Sequence, residues 1–96
     1  MNRENIIKVL RELDSQIGEK YKARIKGIFG SFVRGEEREG SDVDVLVDFK
    51  EGANLLDFVG LSYFLEEKLN IPVDIVPIDT LRAEIKEDIL REAIYL

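Results

Sequence analysis

Between Ser41 and Phe49 the chain alternates two kinds of side chain, and that alternation restricts its fold more than any other feature. Val43, Val45, Val47 and Phe49 occupy every second position, with Asp42, Asp44, Leu46 and Asp48 between them. Successive side chains of a strand point to opposite faces, so the first set enters an apolar core while Asp42 and Asp44 project together from the other side. The strand is thus a wall of the core and a platform for paired carboxylates.

The segments around it carry other periods. Ile6, Leu10, Leu13 and Ile17 recur at helical spacing, with Asn2 placed to cap and Gly18 to stop an amphipathic helix. From Lys20 the period falls to two, Lys20, Lys22, Arg24 and Lys26 alternating with Tyr21, Ala23 and Ile25 ahead of Ile28-Phe29, which predicts a strand entering the turn at Gly30-Ser31. Its cations form a solvated strand face or meet a polyphosphate. Phe32-Val33-Arg34 make a short helix, and Gly35 to Gly40 a charged surface loop. Leu55, Phe58, Leu61, Leu65 and Leu69 define a second long helix, capped by Asn54 with Asp57 at its positive end. Ile71 to Val76 is a third strand, with Asp74 facing away from Ile71, Val73 and Ile75. A last helix carries Leu81, Ile85 and Ile89 behind a cap at Asp79 or Thr80, and residues 93–96 extend it or form an edge strand. Ninety-six residues with these interleaved helices and strands are expected to form a single domain over residues 1–96.

Composition narrows the chemistry. There is no cysteine and no histidine, which removes disulfides, thiolate and imidazole metal sites, and the commonest general base. Any metal must sit on oxygen, and hard cations such as Mg²⁺ suit carboxylates. No apolar run approaches the ~20 residues of a membrane helix and no signal peptide is visible, so the expectation is a cytoplasmic protein. A net charge of -6 argues against direct, non-specific nucleic-acid binding.

Asp42 and Asp44 repel each other unless a cation or protons intervene. If the strand of Asp74 pairs beside theirs, three acids meet on one face, able to hold two Mg²⁺ roughly 3.5–4 Å apart, one activating an attacking oxygen and the other a leaving pyrophosphate. The Gly30-Ser31 turn complements them, since glycine lets backbone approach a phosphate and a helix start offers N–H groups. Arg34, one turn on, reaches a phosphate or pins the loop by bonding a carboxylate. A Gly-Ser turn alone is ordinarily just a turn, and Asp-x-Asp alone a solvated edge. Their joint order, turn, paired acids, then a lone acid, is what points to chemistry on a nucleoside triphosphate. No EF-hand fits, because Leu46 and Val47 stand where oxygen ligands and a glycine belong, and neither a dinucleotide fingerprint nor a P-loop is present.

Gly30-Ser31-Phe32-Val33-Arg34-Gly35 followed by Ser41-Asp42-Val43-Asp44, with Pro72-Val73-Asp74-Ile75-Val76 later, resembles the minimal nucleotidyltransferases of the DNA polymerase beta superfamily. The resemblance implies an α+β (mixed α/β) nucleotidyltransferase fold, a small mixed sheet flanked by helices, in which Asp42, Asp44 and Asp74 are catalytic and bind Mg²⁺. It implies that Gly30 and Ser31, with Arg34 and Ser41, bind the nucleotide. Small members are typically antitoxins that transfer AMP from ATP to a tyrosine of a HEPN-domain ribonuclease toxin, which implies that toxin as partner in a hetero-oligomer. The alternatives are a non-catalytic steric antitoxin and a nucleotidyltransferase with a small-molecule acceptor.

Overall fold

A computed structural model describes residues Met1–Leu96. Helix α1 (Arg3–Tyr21) leads into strand β1 (Ala23–Phe29), the short helix α2 (Ser31–Arg34) and strand β2 (Val43–Phe49). Helix α3 (Leu55–Leu69), strand β3 (Val73–Pro77), a 3-10 turn (Ile78–Thr80), helix α4 (Ala83–Glu92) and strand β4 (Ile94–Tyr95) follow. The four strands form one mixed sheet in the order β3-β2-β1-β4. β1 pairs antiparallel with both β2 and β4, whereas β2 and β3 run parallel, joined by the α3 crossover that a parallel pair requires.

The core lies on the face away from the acids. Val43, Val45, Val47, Val73 and Ile75 from the sheet meet Ile6, Leu10 and Ile17 of α1 and Leu61, Leu65 and Leu69 of α3. In β1 the contributing residues are Ala23, Ile25 and Ile28, and the last two lie three apart, which a regular strand would send to opposite faces. The register shifts between Ile25 and Gly27, so Lys26 is an extra residue and both isoleucines turn inward. Burying side chains of this size contributes about 1.5–3 kcal/mol each, which makes this layer the main source of stability.

Both long helices begin as expected. Asn2 accepts from the backbone N–H of Asn5, and Asn54 and Asp57 exchange bonds as a complete capping box. Three expectations need correction. α1 runs through Gly18 and ends only at Lys22, in the left-handed conformation (φ 52°). A glycine costs a helix only about 1 kcal/mol, and the packing of Tyr21 on Phe64, ring centres 5.4 Å apart, carries the helix beyond it. The strand consequently starts at Ala23 and not at Lys20. The last helix is not capped by Asp79 or Thr80, which belong to the 3-10 turn, where the Thr80 hydroxyl donates to the Pro77 carbonyl. It starts at Ala83, behind Arg82, with no side-chain cap.

The end of the chain, open in the sequence, is the edge strand β4. Gly27 permits its approach, because a Cβ there would stand 2.2 Å from the Ile94 carbonyl oxygen. α3 also carries exposed Leu55, Leu56, Val59 and Tyr63 along the side that faces neither sheet nor α1. No helix is long and apolar enough to cross a membrane.

Gly27→Ala should therefore force β4 off β1 and destabilise the protein by about 1–3 kcal/mol, the usual cost of overpacking. A lowered urea midpoint, together with faster carboxypeptidase trimming of the chain end, checks this.

Candidate active site

β1 delivers the chain to Gly30, whose backbone (φ 84°, ψ -153°) lies where side chains are rarely tolerated. A Cβ at this position would stand 2.0 Å from Oδ2 of Asp44. The turn and the acid are therefore packed atom against atom. Beyond Gly30, α2 is a single helical turn in which the Gly30 carbonyl accepts from Val33 and Arg34 at 3.0 and 3.1 Å. Phe32 anchors it in the core, and Arg3 of α1 donates to the Val33 carbonyl at 2.7 Å. The Gly-Ser turn is thus held from below and from the side.

Asp44 is the central acid. On one flank it pairs with Phe29 of β1 and on the other, across the parallel ladder, with Asp74. Register partners in neighbouring strands lie about 4.8 Å apart with side chains on the same face, so the two carboxylates are adjacent. Asp42 lies one residue before β2 and is exposed. Half-burial first, then the charge of Asp74 and a hydrogen bond with it, then the charge of Asp42, raise the Asp44 carboxyl to about 6, with Arg34 pulling weakly the other way. The structure brings together Gly30, Ser31, Asp44 and Asp74, with Asp42 at the margin. No three acids close on one point as a ready-made cation cage.

Of the two roles open to Arg34, the structure displays the pinning one. Its Nε donates to Glu36 at 2.5 Å and its Nη1 to Glu92 at 2.9 Å, and these two carboxylates, Glu36 foremost, hold its guanidinium more firmly protonated than usual. Ser41 ties the connecting loop, its hydroxyl oxygen accepting from the Arg38 N–H at 2.8 Å. Glu92 was not singled out in the sequence. Its Oε1 accepts from the Gly30 N–H at 2.7 Å as well as from Arg34. A glutamate 62 positions downstream in an exposed helix gives no local signal, and only the return of the chain end to β1 places it here.

The donor set is all oxygen, and its central carboxyl is raised by burial first and by neighbouring like charges second, the latter being the electrostatic condition a hard cation relieves. Comparison with known proteins agrees with this chemistry. The family model of the nucleotidyltransferase domain matches residues 4–96. The chain belongs to the nucleotidyltransferase domain family. The protein adenylyltransferase MntA of Thermococcus cleftensis is 42% identical over 93 residues, spanning 97% of this chain and 94% of that relative. A solved structure of a candidate minimal nucleotidyltransferase superposes with a TM-score of 0.82 at 42% identity, covering 100% of this chain and 97% of that one. A toxin-antitoxin crystallised with AMP-PNP shares the fold alone, with a TM-score of 0.69, 22% identity, and coverage of 99% of this chain and 72% of that one.

The raised carboxyl has a consequence for stability. Folded Asp44 keeps its proton up to about pH 6, whereas the unfolded chain releases it near 3.8. The folded state thus binds more protons between those values, and stability falls as pH rises through that window and stays lower above it. Without divalent cations, Asp44→Asn should stabilise the protein at pH 7.5 by roughly 1 kcal/mol, after solvent screening of a half-exposed group, and leave it unchanged near pH 3.5. Denaturant melts of both proteins in chelator at the two pH values check the sign.

Proposed function

We propose that this protein transfers AMP from ATP, with Mg²⁺, to a tyrosine hydroxyl of a HEPN-domain ribonuclease toxin in the cytoplasm, and so acts as its antitoxin. The observation that carries the reading is the in-register pairing of Asp44 with Asp74 directly beside the Gly30 turn. The protein adenylyltransferase from Thermococcus, alike over nearly its whole length, supports the reaction type. The toxin-antitoxin structure with AMP-PNP supports the nucleotide and the kind of partner.

Asp42, Asp44 and Asp74 would hold Mg²⁺, which when bound neutralises charge on the phosphates and on the attacking oxygen. Gly30 and Ser31 take the triphosphate, the glycine because nothing projects from it between backbone and ligand. Ser41 and Arg34 shape the rim, one through the loop and one through its carboxylates. The acceptor hydroxyl gives up its proton to a carboxylate of the acid face, its oxygen bonds to the α-phosphorus, and the bond from that phosphorus to the bridging oxygen breaks, releasing pyrophosphate. Asp44, held against the turn, sets the distance between the reacting phosphate and the acid face.

Incubation with the toxin, Mg²⁺ and ATP labelled at the α-phosphate should label the toxin. Asp42→Asn and Asp44→Asn should each reduce labelling by roughly a thousandfold or more, the scale of several kcal/mol of lost charge stabilisation. An unlabelled toxin, under conditions where the two proteins bind, would refute the proposal.

The exposed stripe Leu55, Leu56, Val59 and Tyr63 favours a second reading, steric neutralisation, because contiguous apolar surface marks protein partners. Toxin neutralisation that survives both Asn substitutions would establish it.

A further inference from the structure

Glu92 is an acid at the turn to which the reaction gives no chemical step, and unlike Glu36, which bonds Arg34 alone, it bonds the Gly30 backbone as well. A single oxygen, Oε1, accepts from the Gly30 N–H at 2.7 Å and from Arg34 Nη1 at 2.9 Å. These donors stand at the two ends of α2, Gly30 at its N-cap and Arg34 as its last residue. One carboxylate therefore closes the helical turn across its length. It also fixes the peptide that gives Gly30 its positive φ, and with it the contact between Gly30 and Asp44 Oδ2.

The carboxylate is placed from two directions. Glu92 is the final residue of α4, a helix with no buried residue, and the next residues enter β4 on the edge of β1. Ala93 donates to the Ile89 carbonyl, Leu96 to the Lys26 carbonyl, and the Tyr95 hydroxyl to the Leu90 carbonyl. The end of α4 is thereby locked beside the end of β1, where Gly30 begins. At 30% exposure the Glu92 side chain is largely shielded, and a charge-assisted bond to a backbone N–H there is stronger than a neutral one.

We infer that Glu92 is a positioning residue for nucleotide binding, which holds the Gly30-Ser31 turn in its phosphate-accepting shape through the Gly30 N–H and Arg34. It touches neither substrate nor metal. The alternative use of the same contacts, a carboxylate that occupies a donor the triphosphate needs, makes the opposite prediction for affinity. The inference rests on the nucleotidyltransferase reading but concerns binding, so the two fail separately.

The test is calorimetric titration of the full chain with ATP and Mg²⁺, followed by AMP transfer to the toxin. For Glu92→Ala the dissociation constant for ATP and the KM should rise about tenfold, the scale of one lost charge-assisted hydrogen bond, with kcat within twofold. Glu92→Gln, which keeps a neutral acceptor for the Gly30 N–H, should recover most of the affinity. In Arg34→Ala, which leaves the backbone bond intact, adding Glu92→Ala should still weaken binding. Unchanged or tighter ATP binding by folded Glu92→Ala would overturn the inference, as would a kcat that falls as far as affinity. Should the wild type bind ATP without labelling the toxin, the transfer reading fails while the calorimetric comparison still decides the role of Glu92.

Discussion

The contact between the backbone of Gly30 and the carboxylate of Asp44 is the constraint around which the molecule is arranged. A methyl group on that backbone would overlap the carboxylate oxygen, so the end of β1 and the middle of the acid face can meet only through a glycine. The antiparallel pairing that sets Phe29 opposite Asp44 brings the turn there, and the parallel pairing that sets Asp44 opposite Asp74 brings the second acid. β2 lies between the two, and a one-residue slip in either ladder would turn a carboxylate into the core. The unbroken burial of Val43, Val45 and Val47 forbids such a slip.

Register is therefore the link between stability and chemistry. The apolar face of β2 selects one alignment because any other buries aspartates among leucines, and that alignment crowds like charges on the opposite face. Burial first and this crowding second raise the carboxyl of Asp44, a destabilising feature that the core under the sheet offsets. A site that gathers anions before any cation or phosphate arrives is, in energetic terms, prepared for binding. Asp42, outside the ladder and exposed, stands at the margin of the Asp44 and Asp74 pair.

Much of this was legible in the residues, and what was not has identifiable causes. Period two in β2 announced both faces of the strand, and the capping residues Asn2 and Asn54 announced their helices, because those signals are local. Gly18 misled because a helix boundary there is decided by the packing of Tyr21 on Phe64, a contact between distant segments. Asp79 and Thr80 looked like caps, yet Pro77 ends the ladder just before them and a 3-10 turn uses Thr80 to satisfy the Pro77 carbonyl. The bulge at Lys26 and the strand at Ile94–Tyr95 depend on neighbours that a single segment does not reveal. That Asp44 and Asp74 share one face could be foreseen because strand alternation places them. Glu92 could not, since a helix end that returns from afar has no periodicity to disclose it.

That difference has a physical meaning for how the molecule is stabilised. An exposed ten-residue helix is marginal on its own, and α4 buries nothing that would compensate. Its order must come from its ends, through β4 on the edge of β1 and through Glu92 on the turn. The dependence runs both ways, because whatever fixes α4 also fixes the Gly30 peptide, and whatever steadies the turn steadies α4. A helix without a buried residue is thus joined by a single carboxylate to a turn whose backbone approach to Asp44 leaves no room for a side chain. Local stability in such a place is low and easily shifted, which is where a fold can hold a binding loop in shape without making the whole core rigid.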